Sequence, residues 1–474
     1  MRCGTSIALV CLLAGSGTAA AQQPNALGPP STVAGSAASA ASPSLPTTLP
    51  VAQSGPALGP PPRVDPAPPS PSGPAIGPPP KQEVAPIVWT PYRQQPPYTP
   101  PPYAAPGYAP LALPPIDEDA CARNPRVWVG VEALIWWTRS QPLSVPVITT
   151  GPASQGANAG NLGAAGTVSL NGPLDLGVTG GVRFSAGGWF DVGHNFGLDG
   201  SIFFLGRQTA GFGAFDRSGN GSFVINEPLL GTPPFSTQVS APGTDTGGTA
   251  VNAGSRFGGG DVNFLVNLYR TDRWSITLLA GYRYLELDES LAIDANAHMF
   301  IPTMFLDPQG NTLVTAPAGS TILVFDRFST RNQFNGGQLG AEFQYLWGRW
   351  SVNSVAKLGI GATHEVTTID GSTLVLPVGG APVPVLGGNF ATLQAGRFSH
   401  DTFALAPEFQ LTLGYQITPY LRATLGYDFL YLSHVVRPGN QIDNTYDGVA
   451  HPGVPFSSSG YWAQGINLGL RFTY

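Results

Sequence analysis

The stretch "INLGLRFTY" (466–474) places Ile466, Leu468, Leu470, Phe472 and Tyr474 on one side of an extended chain and Asn467, Gly469, Arg471 and Thr473 on the other. Period-two alternation marks a strand. An apolar face that stays large and aromatic to its last residue reads as turned to lipid, with the opposite face turned to a polar interior. One strand proves little, so the rest of the sequence has to agree.

Nine further segments carry the same period: 127–138, 174–186, 196–207, 256–270, 273–288, 334–347, 350–366, 401–417 and 420–432, with 461–474 the tenth. In the ninth, Leu421, Ala423, Leu425, Tyr427, Phe429 and Tyr431 oppose Arg422, Thr424, Gly426 and Asp428. A soluble sandwich alternates too, and the connections separate the two cases. Thr271-Asp272, Gly348-Arg349 and Thr418-Pro419 join strands tightly, and 187–195 is modest. The other connections, 139–173, 208–255, 289–333, 367–400 and 433–460, are long and rich in Gly, Pro, Thr and Asn. Short turns on one rim, long loops on the other and an even strand number are the grammar of outer-membrane barrels. The expected fold is all-β, a closed antiparallel transmembrane β-barrel of about ten strands over 126–474. Interface aromatics are expected at Trp189, Trp274, Trp347 and Trp350 on the short-turn rim, and at Trp137 and Trp462 on the other.

"VEALIWWTRSQPLSVPVITTGP" (131–152), with Glu132, Trp136-Trp137, Pro142 and Thr150-Gly151-Pro152, and the closing "WAQGINLGLRFTY" resemble the putative beta-barrel porin-7 family of planctomycete outer-membrane proteins. The resemblance covers roughly 127–474. It implies an outer-membrane barrel and prescribes neither substrate nor catalytic residues. Asn467, Gly469, Phe472 and Tyr474 also resemble the carboxy-terminal signal read by the barrel-assembly machinery.

Composition is consistent with this. The chain has 61 Gly, 49 Pro, only 11% charged residues and a net charge of −6, which leaves no basic surface for nucleic acid. Residues 1–21 read as a cleaved signal peptide, with Arg2, the apolar 7–13 and Ala19-Ala20-Ala21. Residues 22–120 are Pro-, Ala- and Gly-rich and are expected to form a disordered periplasmic segment. It is either a spacer or an arm that meets peptidoglycan or a periplasmic protein. Cys3 and Cys11 leave with the signal, so Cys121 would remain as a lone thiol. Lipid of the outer membrane is the expected surrounding.

The apolar faces assign eleven charged side chains to the interior: Glu132, Asp199, Asp261, Glu342, Glu408 and Asp428 against Arg183, Arg283, Lys357, Arg422 and Arg471. Ten strands enclose little more space than the eight that side chains can fill. A charge-paired, largely plugged bore is one reading, with pairs among Glu342, Lys357, Glu408 and Arg422 on neighbouring strands. A narrow passage for small solutes is the other. His364, His400-Asp401 and His434 fall near outer strand ends, but no accompanying carboxylate pair is evident. No metal-ligand spacing or phosphate loop occurs. No enzyme, cofactor or metal is therefore expected. The function is either porin-like or that of a structural or adhesive anchor presenting outer loops.

Overall fold

A computed structural model describes residues 126–231, 235–306, 313–391, 395–445 and 453–474. The signal, the Pro-rich segment and Cys121 lie outside the described residues. Ten strands form the wall: β1 (Val127–Thr138), β2 (Val178–Trp189), β3 (Phe196–Leu205), β4 (Asp245–Arg270), β5 (Trp274–Met299), β6 (Thr321–Trp347), β7 (Trp350–Leu376), β8 (Gly396–Thr418), β9 (Leu421–Val436) and β10 (Ser458–Thr473). Each pairs antiparallel with its sequence neighbour. β10 also pairs with β1, with Ile135 opposite Ile466, so the ladder runs round a ring. The Tyr474 carbonyl accepts from the Arg126 and Val127 N–H groups at 2.9 Å each, which ties the two ends of the ring together.

The outer face carries the belt. Leu425 and Leu468 are each 49% exposed, alongside Val131, Phe184, Ile202, Val262, Leu339, Ile360 and Leu411. Water would not tolerate so continuous an apolar surface on a soluble monomer. No described helix is long and apolar enough to cross a membrane.

The connections expected as long loops are largely strand. β4 and β5 run for 26 residues each, and β6 and β7 for 27, where about 9–11 residues suffice to cross lipid. Beyond the belt the alternation continues but inverts its polarity. On β5, Leu285, Leu287, Leu291 and Ile293 are buried inside, while Glu286 and Asp288 face out. A membrane barrel thus becomes a water-surrounded barrel on the same strands. Connections from two hairpins fill its mouth, as a four-stranded sheet of Val168–Leu170, Ile148–Pro152, Phe223–Leu229 and Phe235–Ser240. They pack a core of Val147, Ile148, Ile225, Leu291, Ile293, Phe328 and Phe390.

Candidate functional site

The interior of the ring is layered. Nearest the short turns, Trp128 and Trp189 meet with ring centroids 6.1 Å apart and pack on Leu265, Leu279 and Val355. A Cβ on Gly187 would come within 2.3 Å of the Trp128 indole, so glycine is required there. Trp189 shares its strand face with Arg183 and stacks on His194 at 5.6 Å. It therefore belongs to the bore and not to the lipid interface where the sequence reading put it. Trp274, by contrast, stacks on Tyr269 at 4.5 Å, and Trp347 and Trp350 are exposed on the outer face. Trp137 and Trp462 share the outer face of β1 and β10.

The charged layer comes next, and all eleven assigned side chains point into it or line it. The pairing differs from the neighbour-strand expectation. Arg283 lies opposite Asp261, and Lys357 opposite Glu408, on adjacent strands. Yet Lys357 donates to Asp261 at 2.5 Å, and Arg283 pairs with Glu408. The partners are exchanged across the bore. Arg183 makes a third brace, to Asp428 on β9 at 2.5 Å, besides its neighbour Glu132 at 3.2 Å. The reason is width: the bore is narrow enough for a side chain to reach beyond the adjacent strand. Arg422 and Glu342 sit lower. Arg422 donates to Gln416 at 2.9 Å, and Glu342, Asp199 and Arg471 line the same mouth. Asp199 accepts from Asn263 at 2.9 Å, and Arg471 lies over the Trp128 ring at 5.8 Å. The cavity among these charges is about 100 Å³, room for about three waters at roughly 30 Å³ each.

Above the charges an apolar layer crosses the bore. Trp136, fully buried, donates to Asn467 at 2.7 Å. Its ring lies 5.5 Å from Phe203, Phe203 lies 5.4 Å from Phe257, and Phe257 lies 5.1 Å from Tyr461. Leu285, Leu287, Phe334, Leu430 and Leu432 fill in around them. Of the assembly-signal residues, Asn467 thus anchors Trp136, and Gly469 leaves room for Glu132, whose Cγ a Cβ would meet at 2.7 Å. Phe472 and Tyr474 stack with Tyr420 at the short-turn rim.

A last seal sits over that layer. Arg437 and Glu289, both fully buried, form a bidentate pair at 2.8 and 2.6 Å, and the guanidinium covers the Tyr461 ring at 5.4 Å. In the mouth above, Asp326 accepts from the Asn389, Phe390 and Ala391 N–H groups at 3.1, 3.0 and 2.7 Å. Glu227 accepts from Asn389 at 2.6 Å and Thr249 at 3.2 Å. Burial and the Asp326 charge push Glu227 up to about 8; burial raises Asp326 to about 6 despite its donors. The sequence reading missed Arg437, Glu289, Glu227 and Asp326, because it took their segments for loops. Trp136 was findable, since it shares a face with Glu132.

Two of the three histidines each have one carboxylate nearby. His364 Nδ1 lies 2.7 Å from Asp401, and His400 3.8 Å from Glu365. These pairs are consecutive rungs of one ladder, His364 opposite Asp401 and Glu365 opposite His400. Consecutive rungs face opposite sides of a sheet, so the four groups do not converge on one point.

Residues 128–474 match the family described as putative beta barrel porin-7. Among solved structures, the outer membrane protease OmpT from Escherichia coli is similar at 10% identity and a TM-score of 0.34, covering 74% of this chain and 98% of its own. The P. putida toluene transporter TodX is similar at 9% and 0.20, covering 77% and 94%. The transport unit of the autotransporter AIDA-I from Escherichia coli follows at 8% and 0.21, covering 74% and 90%. At those scores the likenesses carry no argument about the bore. No curated protein matches the chain.

Proposed function

The chain belongs to the putative beta barrel porin-7 family, and from that premise we propose that it is an outer-membrane anchor with a shut bore, holding a packed cap of strand extensions and connections above the lipid. The carrying observation is the row of rings from Trp136 to Tyr461, which crosses the bore beneath the buried Arg437–Glu289 pair. An open pore would leave its polar lining to water, whereas here the braces span the lumen. The second reading, passage of small solutes, is favoured by the charged layer and requires the ring layer to move. In this reading the protein is not an enzyme. The signal is cleaved on export, the barrel-assembly machinery reads Asn467, Gly469, Phe472 and Tyr474, and the Pro-rich segment is a spacer or an arm that meets peptidoglycan or a periplasmic protein. Planar-bilayer recording on refolded protein tests the anchor: no steady channel is expected. A large, stable, open conductance would replace the anchor with the porin.

A further inference from the structure

Just above the belt, on the outer surface of β4 to β8, two consecutive rows of outward residues form a groove of about 720 Å³. Its upper row is Gly254, Ser290, Ser329, Thr368 and Arg397, each opposite the next on the adjacent strand. Its lower row is Arg256, Asp288, Arg331 and Val366. The floor is therefore small and hydroxyl-bearing, and arginines wall it. Arg397 closes one end. Arg207 closes the other, lying over Gly254, where an added Cβ would come within 3.2 Å of its Nη2. Four strand spacings separate Gly254 from Arg397, about 19 Å.

The charges do not balance. Arg331 engages Glu286 at 3.2 Å and Asp288 at 2.8 Å. Arg207, Arg256 and Arg397 make no ion pair among the described residues. Three guanidiniums above a bed of Ser and Thr hydroxyls are donors without an acceptor, and planar forked donors match phosphate oxygens.

The groove's position names the acceptor. Lower rows on the same strands run Glu286, Gln333, His364 and Asp401, then Tyr284, Asn335, Ala362 and Phe403, then the apolar Tyr282, Ile360 and Leu405. From the Tyr284–Phe403 row to the Arg256–Arg331 row is four residues, about 14 Å of strand and about 10 Å along the membrane normal at a 40° tilt. The headgroup layer is about 5–8 Å deep on each side, and the length of an arginine side chain, whose charged head can snorkel away from its own backbone, is enough for Arg256 to close the difference. We propose that this groove binds the phosphorylated headgroup of an outer-leaflet lipid, whose acyl chains lie on Tyr282, Ile360 and Leu405. The site rests on the long-extension rim facing outward, a premise that the cysteine labelling described in the Discussion tests by itself.

The probe is phosphatidic acid in neutral-detergent micelles with the purified full chain, against diacylglycerol with the same acyl chains. Wild type is expected to retain phosphatidic acid through gel filtration and to ignore diacylglycerol. Each of Arg207→Ala, Arg256→Ala and Arg397→Ala should weaken binding about fivefold, and the triple variant on the order of a hundredfold. Arg273→Ala at the opposite rim should change nothing. Each single variant removes one exposed side chain, so a triple variant that fails to fold still leaves three readings. Equal retention of the two lipids, or binding unaffected by the arginine variants, would overturn the proposal. Complete displacement by low-millimolar inorganic phosphate would overturn the lipid as ligand and leave a site for free anions.

Discussion

Arg183 shows what the interior asks of a single residue. It is buried between Glu132 and Asp428, and its guanidinium also lies over the Trp136 and Phe203 rings at 5.5 and 5.8 Å. Removing one partner of a buried pair leaves the other charge stranded, at about 3–5 kcal/mol, whereas removing both is often neutral. Arg183→Met should therefore lower the unfolding free energy, read by urea titration in vesicles, by that order, and adding Asp428→Asn should recover much of it. No recovery in the double variant would mean that Arg183 acts through packing alone. Glu227 makes a second residue-scale case. Its folded value of about 8 lies above its ordinary 4.5, and Asp326 stands at about 6 against 3.8. For an acid whose folded value is raised, the folded state keeps protons that the unfolded state has released. Stability is then complete below pH 4 to 4.5 and is lost as pH climbs to about 8, by an amount on the order of a few kcal/mol. The thermal midpoint of the cap should fall between pH 5 and 8, and Glu227→Gln should flatten that fall. A wild-type midpoint constant over the window would exclude a protonated Glu227.

The strands explain what could be read from the sequence and what could not. Inside the belt each one keeps lipid-facing apolar residues on one parity, so the ten core segments, the tight turns and the eleven inward charges were legible. The outer halves were not, because the code changes. In "LELDESLAID" (285–294) the alternation continues, interrupted on its buried side by Glu289, but the apolar parity now points inward. A reader following lipid-facing side chains sees the pattern end at Asp288, when only the solvent outside it has changed. Cross-bore partners were illegible for another reason: register fixes neighbours, and the contacts skip them. Leu425 and Thr424 on β9 test the belt. Leu425→Arg puts a charge in lipid and should cost about 2–4 kcal/mol near the midplane. Thr424→Arg, one residue away on the inner face, should cost less. Equal effects on vesicle refolding would mean that this face does not meet lipid.

At the scale of the molecule, the two rims differ so much that only one orientation suits an outer membrane. One rim has turns as short as Gly348-Arg349 and holds both the Arg126 and Tyr474 ends of the ring. The other carries strands that leave the belt and close over a sheet built from the connections. Outer-membrane barrels keep short turns in the periplasm and long connections outside, which predicts that the cap lies on the cell surface. Single cysteines at exposed positions report this directly, on a Cys121→Ser background. Ser218 sits in an exposed turn of the cap, where its hydroxyl donates to Asp216 at 2.9 Å, and Asp272 sits in the tight β4–β5 turn. With a membrane-impermeant maleimide on intact cells, Ser218→Cys should label at once, and Asp272→Cys only after the cells are opened. The reverse order would turn the barrel over, putting the cap in the periplasm and taking the arginine groove away from the outer leaflet. Equal labelling of both in intact cells would mean that no bilayer separates the two rims, and the belt of Leu425, Leu468 and their neighbours would need another partner than lipid.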